Sequence, residues 1–437
     1  MDGFSQLVIR TAAALALAVS GCGSGTVSQG PSASPATSTS TTSITSATPA
    51  APPASPAPSG STTAPPPSPS PPASAAPSLP GRGPAPVTAE ERASALVRPA
   101  IVFVEVRWSG YLRNEATGQL WGSKPIKDTS GCTGFFVNPD GYLVTAGHCV
   151  DPGIEGITRS FFDEVIDQER ANGNPKTRAE LDRDLVGNWV AEGQVAGTPP
   201  DREVRVRQTI AGPLFNGDTP GEAPTTGTAS PSPMGGRSEF ARVIMFEPSS
   251  EGDLALLKIE GTNLPSVELA PESAVEIGTP VLAIGYPGPV LSMTDQVLEP
   301  SNKDGKVSAK SVNRGLPLYE ISAAVTNGMS GGPAVETASA QVIGVLFYRA
   351  RNEQPFNYAS PSSLVRELLG RSGVRNRLGP VDGLYRTALQ DYWAGDYAGA
   401  VRGFDAVLAQ VPAHPQAKEY RAMAAGRMAG RPGPSPS

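Results

Sequence analysis

GCTGFFVNPDGYLVTAGHCV, residues 131–150, is the stretch on which the fold turns. Residues 135–137 and 142–145 are β-type runs, and Asn138-Pro139-Asp140-Gly141 between them is a strong turn signal. This pattern predicts a hairpin that delivers His148 just past the end of its second strand. Cys132 lies near the start of the first strand, so it can approach Cys149 across the ladder. A disulfide there would pin the loop that bears the histidine.

Two later segments complete a chemical set. EGDLALLKI, residues 251–259, places Asp253 at the entrance to an apolar strand, where a carboxylate is shielded from water. TNGMSGGP, residues 326–333, sets Ser330 among glycines that let the backbone turn tightly. A serine hydroxyl is a poor nucleophile until a neutral imidazole takes its proton. The imidazole in turn needs a carboxylate to fix its tautomer and stabilise its cation. The amides of Gly328 and Ser330 can then point together at a developing oxyanion, each donor being worth ~3 kcal/mol of barrier.

In the order His148, Asp253, Ser330, these segments resemble the trypsin-like (chymotrypsin-fold) serine proteases, and among them the bacterial HtrA/Deg-type branch. Thr145-Ala146-Gly147-His148-Cys149 matches the histidine motif, Asp253-Leu254-Ala255-Leu256-Leu257 the aspartate strand, and Gly328-Met329-Ser330-Gly331-Gly332-Pro333 the nucleophile loop. Residues 282–287, 305–309 and 342–345 look like strands of the family's second barrel. The resemblance covers roughly residues 90–370. It implies an all-β fold of two antiparallel six-stranded β-barrels, the first carrying His148 and Asp253 and the second Ser330. It also implies serine endopeptidase chemistry through an acyl-enzyme, with no cofactor and no metal. Gly328-Met329-Ser330-Gly331-Gly332 also satisfies the nucleophile elbow of α/β-hydrolases. That fold requires a histidine after the serine, and of the two histidines only His414 qualifies, in a helical appendage.

Several positions depart from the family pattern. Met329 stands where digestive trypsin-like enzymes carry an aspartate for zymogen activation, so activation of that type is not expected. Ala324, six residues before the serine, occupies the position of the trypsin specificity carboxylate and implies a neutral pocket for apolar side chains. About a hundred residues part His148 from Asp253, an insertion over about 151–240. Its residues 157–186 read as charged helix with Phe161, Phe162, Val165 and Ile166 as an apolar face. Residues 213–236 read as a Gly/Pro/Ser/Thr-rich loop. A lid over the cleft and a surface decoration are both open for it.

The chain is 437 residues long with formal net charge −6 and no basic stripe, so nucleic acid is not an expected partner. Apolar residues 11–19 behind Arg10 have the shape of an export signal over residues 1–21, too short for a comfortable span. Val19-Ser20-Gly21-Cys22 resembles the bacterial lipobox, which implies a lipidated Cys22 and anchoring to the outer face of the cell membrane. The alternative is ordinary cleavage and secretion. The odd count of three cysteines fits one modified Cys22 and one disulfide, Cys132 with Cys149, in an oxidising compartment. Residues 22–88 are a Ser/Pro/Thr/Ala linker expected to stay disordered. At ~3.1 Å per residue its stretch from Ser28 to about Val87 could reach on the order of 150–190 Å.

A short helix around Ala89–Val97, stopped by Pro99, opens the protease-like domain, placed at 89–371. A PDZ domain, which the resemblance would place after residue 370, fits nothing here. Instead residues 381–427 look like one tetratricopeptide unit, a small α-helical hairpin, before a tail at 428–437. Docking on the protease is favoured for it, and a protein partner at this helical tail is the second expectation. Trp393, Tyr397 and Phe404 are expected to pack, and His414 to take no part in chemistry. Two functions follow for test: a protease acting on polypeptide substrates, or a catalytically silent or partner-activated scaffold that binds through its insertion and helical tail.

Overall fold

Thr88 starts the first helix. Its hydroxyl accepts the Glu91 amide and the Glu91 carboxylate accepts the Thr88 amide, a reciprocal cap on α1 (Ala89–Val97). The computed structural model describes residues 87–208, 238–288, 299–348 and 357–430. The expected export signal, Cys22, nearly all of the linker, the 213–236 loop and residues 431–437 lie outside the described residues.

After Pro99 the chain enters β1 (Ile101–Asn114), which pairs with β2 (Ile126–Phe136). β2 and β3 (Tyr142–Ala146) form the expected hairpin, with Gly134 opposite Thr145. In its turn the Asn138 side-chain oxygen accepts the amides of Asp140 and Tyr142 at 3.1 and 3.4 Å. Gly141 has φ +88°, and a Cβ there would meet the Ile259 carbonyl oxygen at 2.3 Å, so conformation and space both demand glycine. A short turn, α2 (Gly147–Val150), follows directly and carries His148.

The insertion supplies α3 (Gly153–Ala171), α4 (Arg178–Leu185), β4 (Trp189–Glu192) and β5 (Asp201–Arg207). The helical reading of 157–186 resolves into two helices. Ile157, Phe161, Phe162, Val165 and Ile166 of α3 are all buried, and α3 packs on β1, β2 and β4. An apolar face spent on the sheet makes these helices a packed decoration rather than a lid. The chain continues through β6 (Glu239–Phe240), β7 (Arg242–Glu247) and β8 (Leu254–Lys258).

The first sheet differs from the expected six-stranded barrel. It has eight strands on the path β6-β5-β1-β2-β3-β8-β7, with β4 added to the far end of β1, and the path is not closed. The cause is a bend. β6 and β7 are parted only by Ala241, whose amide donates to the Val204 carbonyl at 3.0 Å. One run of chain therefore pairs with β5 at its start and with β8 beyond, and stands at both ends of the path. The second sheet is a closed barrel of six strands: β9 (Pro280–Gly285), β10 (Ser301–Asn313), β11 (Leu316–Ile321), β12 (Pro333–Glu336), β13 (Val342–Tyr348) and β14 (Asn357–Pro361).

α5 (Ser362–Arg371) covers β8, β13 and β14. The C-terminal unit is three helices rather than a hairpin: α6 (Pro380–Ala394), α7 (Tyr397–Gln410) and α8 (Pro415–Met428). The third helix escapes sequence reading because alanines on its other faces blur the apolar stripe and its start is marked only by His414-Pro415. His414 is its N-cap, accepting the Ala417 amide through Nδ1 at 3.1 Å. Rings of Tyr385, Phe404, Tyr420 and His414 fill the centre of the unit. Phe404 is buried, with Trp393 and Tyr397 packed at the margin. The unit is docked, as favoured. Asp382 accepts the amide and hydroxyl of Ser266, and the Tyr385 hydroxyl donates to the Ala95 carbonyl at 3.2 Å.

Candidate active site

His148 reaches the site because the β2–β3 hairpin ends in α2. Gly147 lets that turn lie against β7: a Cβ there would stand 2.1 Å from the Glu247 carbonyl oxygen. Asp253 precedes β8 in the left-handed region at φ +57°, after Gly252 at φ +128°. Aspartate tolerates that conformation better than most side chains. The turn is held from the second barrel, where the Ser360 hydroxyl donates to the Gly252 carbonyl at 2.8 Å.

The Asp253 carboxylate faces the histidine with both oxygens. Oδ1 accepts the His148 backbone amide at 2.8 Å, and Nδ1 of the ring lies 3.0 Å from Oδ1 and 2.8 Å from Oδ2. Nδ1 thus carries the proton, leaving the Nε2 lone pair free to act as base. The carboxylate side chain is 4% exposed and the imidazole 32%.

Cys132 and Cys149 are joined in a disulfide, so residue 149 ties the histidine turn to β2. Cys149 Sγ lies 3.9 Å from His148 Nε2 and 3.8 Å from the Ser330 carbonyl oxygen, which brings the histidine and the serine loop together at one sulfur. These two cysteines and His148 form a compact metal-type grouping, but sulfurs bonded to each other offer no thiolate to an ion.

Ser330 sits in the tight loop before β12, in the second barrel, and is buried. Gly328 has φ +89° and Gly331 φ +86°. The Met329 amide donates to the Thr326 carbonyl, and the Gly332 amide to the Met329 carbonyl, each at 3.0 Å. Thus the His148–Asp253 pair and the Ser330 loop lie on either side of the Cys132–Cys149 disulfide. Ala324 is exposed, between buried Ala323 and Val325.

Two contributors were invisible in the sequence. Ser360 acts on Asp253 from over a hundred residues away. Thr133 looks like any β-branched strand residue, yet it contacts the nucleophile loop through its amide and its hydroxyl. No spacing rule signals either.

Residues 132–345 match the family model of the trypsin-like peptidase domain. The probable periplasmic serine endoprotease DegP-like of Ectopseudomonas mendocina is 32% identical over 140 residues, 30% of this chain and 27% of that protein. A protein of the same description from Pseudomonas savastanoi pv. phaseolicola is 30% identical over 141 residues, again 30% and 27%. The chain spans about a quarter of the length of the curated relatives it matches. Among solved structures, the HtrA-type protease AlgW with decapeptide aligns over 65% of this chain and 67% of that one, at 17% identity and TM-score 0.38. The serine endoprotease from Yersinia pestis aligns over 65% and 66%, at 18% identity and TM-score 0.35. With its histidine turn, its aspartate strand and its serine loop inside the matched region, the chain carries a trypsin-like peptidase domain that is similar to DegP-like serine endoproteases.

Proposed function

We propose that this protein is a serine endopeptidase that hydrolyses peptide bonds of extracytoplasmic proteins. The observation that carries the reading is the buried Asp253 carboxylate on His148 Nδ1, with Nε2 turned to the side where the Ser330 loop lies. In this scheme Nε2 accepts the Ser330 hydroxyl proton as Oγ attacks the substrate carbonyl. The amides of Gly328 and Ser330 hold the oxyanion of the tetrahedral intermediate. Collapse breaks the C–N bond, the leaving amine takes the proton from His148, and an ester on Ser330 remains. Water, deprotonated by the same imidazole, then releases the acid and restores the serine.

Ala324 brings no carboxylate to the specificity region, which favours apolar over basic side chains before the cut. The relatives are named as periplasmic, which supports an exported, envelope-facing protein. Cys22 is the proposed lipid anchor. Loss of the protein from the membrane fraction in a Cys22→Ala variant tests it, and unchanged membrane association would refute it.

The functional test is cleavage of an unfolded polypeptide such as β-casein. Wild type should cut it and Ser330→Ala should not. Equal cleavage by both would remove Ser330 from the mechanism.

A further inference from the structure

Thr133 is completely buried on β2, in the first sheet, and uses all of its polar atoms at the edge of the serine loop. Its amide donates to the Ser330 carbonyl at 2.9 Å. Its hydroxyl donates to the Gly328 carbonyl at 2.8 Å and accepts the Tyr286 amide at 2.9 Å. Its carbonyl accepts the Thr145 hydroxyl at 2.7 Å. The donor roles are fixed, because the Tyr286 amide can only donate and the Gly328 carbonyl can only accept.

The three carbonyls of residues 328–330 are thereby all engaged: Gly328 and Ser330 by Thr133, and Met329 by the Gly332 amide. Among the described residues no carbonyl or side chain takes the Gly328 amide, which is one of the two proposed oxyanion donors. Gly328 lies at φ +89° and has no side chain to resist rotation of its flanking peptides. The Gly288 amide, donating to the Asn327 carbonyl at 2.8 Å, fixes the peptide on one side of Gly328, and the Thr133 hydroxyl fixes the peptide on the other. Close packing supports the same geometry: a Cβ on Gly331 would stand 2.1 Å from the Thr133 carbonyl oxygen and 2.2 Å from the Thr145 hydroxyl. Tyr286 is itself fixed, its buried phenol kept neutral and donating to the Gln208 carbonyl at 2.7 Å.

We infer that the Thr133 hydroxyl is the positioning group for the oxyanion loop: it fixes the Gly328–Met329 peptide, which lies between the peptides that carry the Gly328 and Ser330 amides, and so sets both donors without touching substrate. Residue 132 meanwhile ties the same strand to the histidine turn through the disulfide. Two adjacent residues of β2 thus set the base and the nucleophile relative to each other. This inference rests on the protease reading for its catalytic meaning, but the ordering of the loop does not.

The test compares wild type, Thr133→Val, which keeps the shape and loses the hydroxyl, and Thr133→Ser, which keeps the hydroxyl. Thr133→Val should lose about 10²-fold in kcat, the size of a lost oxyanion donor, with KM near that of wild type. It should also bind a peptide boronate, a mimic of the tetrahedral adduct, correspondingly more weakly. Thr133→Ser should restore both. Amide hydrogen exchange over residues 326–332 should quicken in Thr133→Val and return in Thr133→Ser. Wild-type kcat in the valine variant, a rise in KM alone, or a serine variant as impaired as the valine one would overturn the inference. A wild type without activity would sink the protease reading, and the exchange measurement would still decide the role of the hydroxyl: unchanged exchange in Thr133→Val refutes it.

Discussion

Replacing Cys132 and Cys149 together by alanine removes the crosslink that holds the His148 turn to β2. The bridge closes a loop of sequence separation 17. In the chain-entropy treatment that closure removes about 10–11 cal/mol/K from the unfolded chain, or about 3 kcal/mol at 25 °C. Both half-cystines are buried, so the alanine pair also leaves unfilled space beside His148 and the Ser330 carbonyl. The expected outcome in urea-induced unfolding is therefore a loss of about 3 kcal/mol or slightly more, matched by reduced wild type. Activity should fall further than stability under conditions where the variant stays folded, because the released turn carries the base. A stability loss below about 1 kcal/mol, or full activity in the folded variant, would refute the reasoning that this crosslink fixes the catalytic geometry.

Three further outcomes follow from named contacts. Asp253→Asn keeps the size of the side chain but presents an amide N–H to Nδ1, so kcat should drop by about 10⁴ with little change in thermal stability; a drop of less than tenfold would mean His148 does not rely on Asp253. Gly147→Ala places a Cβ 2.1 Å from the Glu247 carbonyl and 3.1 Å from the Leu254 amide, both backbone. The shift this forces should cost about 1–3 kcal/mol and most of the activity, and a wild-type melting curve would contradict it. Burial pushes His414 down to about 3, so the folded state holds it neutral while the unfolded chain protonates it near its ordinary value. The unfolded state thus binds the extra proton, and stability is lost as pH falls below about 6.5. Between pH 7 and pH 5 this group alone should remove about 2 kcal/mol. His414→Asn keeps a capping oxygen and should show a correspondingly smaller loss on acidification; parallel pH–stability curves would rule the effect out.

The candidate site was legible where chemistry restricts residue identity. A base, its carboxylate and a nucleophile among glycines leave few alternatives in a chain with two histidines, and their order decided against the α/β-hydrolase reading. The hairpin was legible because Asn138 and Gly141 meet turn requirements that few other residues satisfy. What stayed hidden depends on contacts distant in sequence. Glu105 on β1 is buried against Arg207 of β5, an ion pair that no pattern within either strand announces. The bend at Ala241 lies between two strands of unremarkable composition and changes how the first sheet joins its edges. The third C-terminal helix buries Ala417, Tyr420, Met423 and Ala424 on one face, but Ala422 and Ala425 on its other faces blur that stripe in the sequence. Thr133 is hidden for the same reason: its importance lies in what its hydroxyl meets nearly two hundred residues later.

Labelling of the purified protein with a fluorophosphonate probe, followed by mass-spectrometric mapping of the modified residue, tests the assignment of Ser330 most directly. The triad predicts a single adduct on Ser330, formed in wild type, lost in Ser330→Ala, and strongly slowed in Asp253→Asn. No adduct across a range of pH, or an adduct on any other serine, would contradict it.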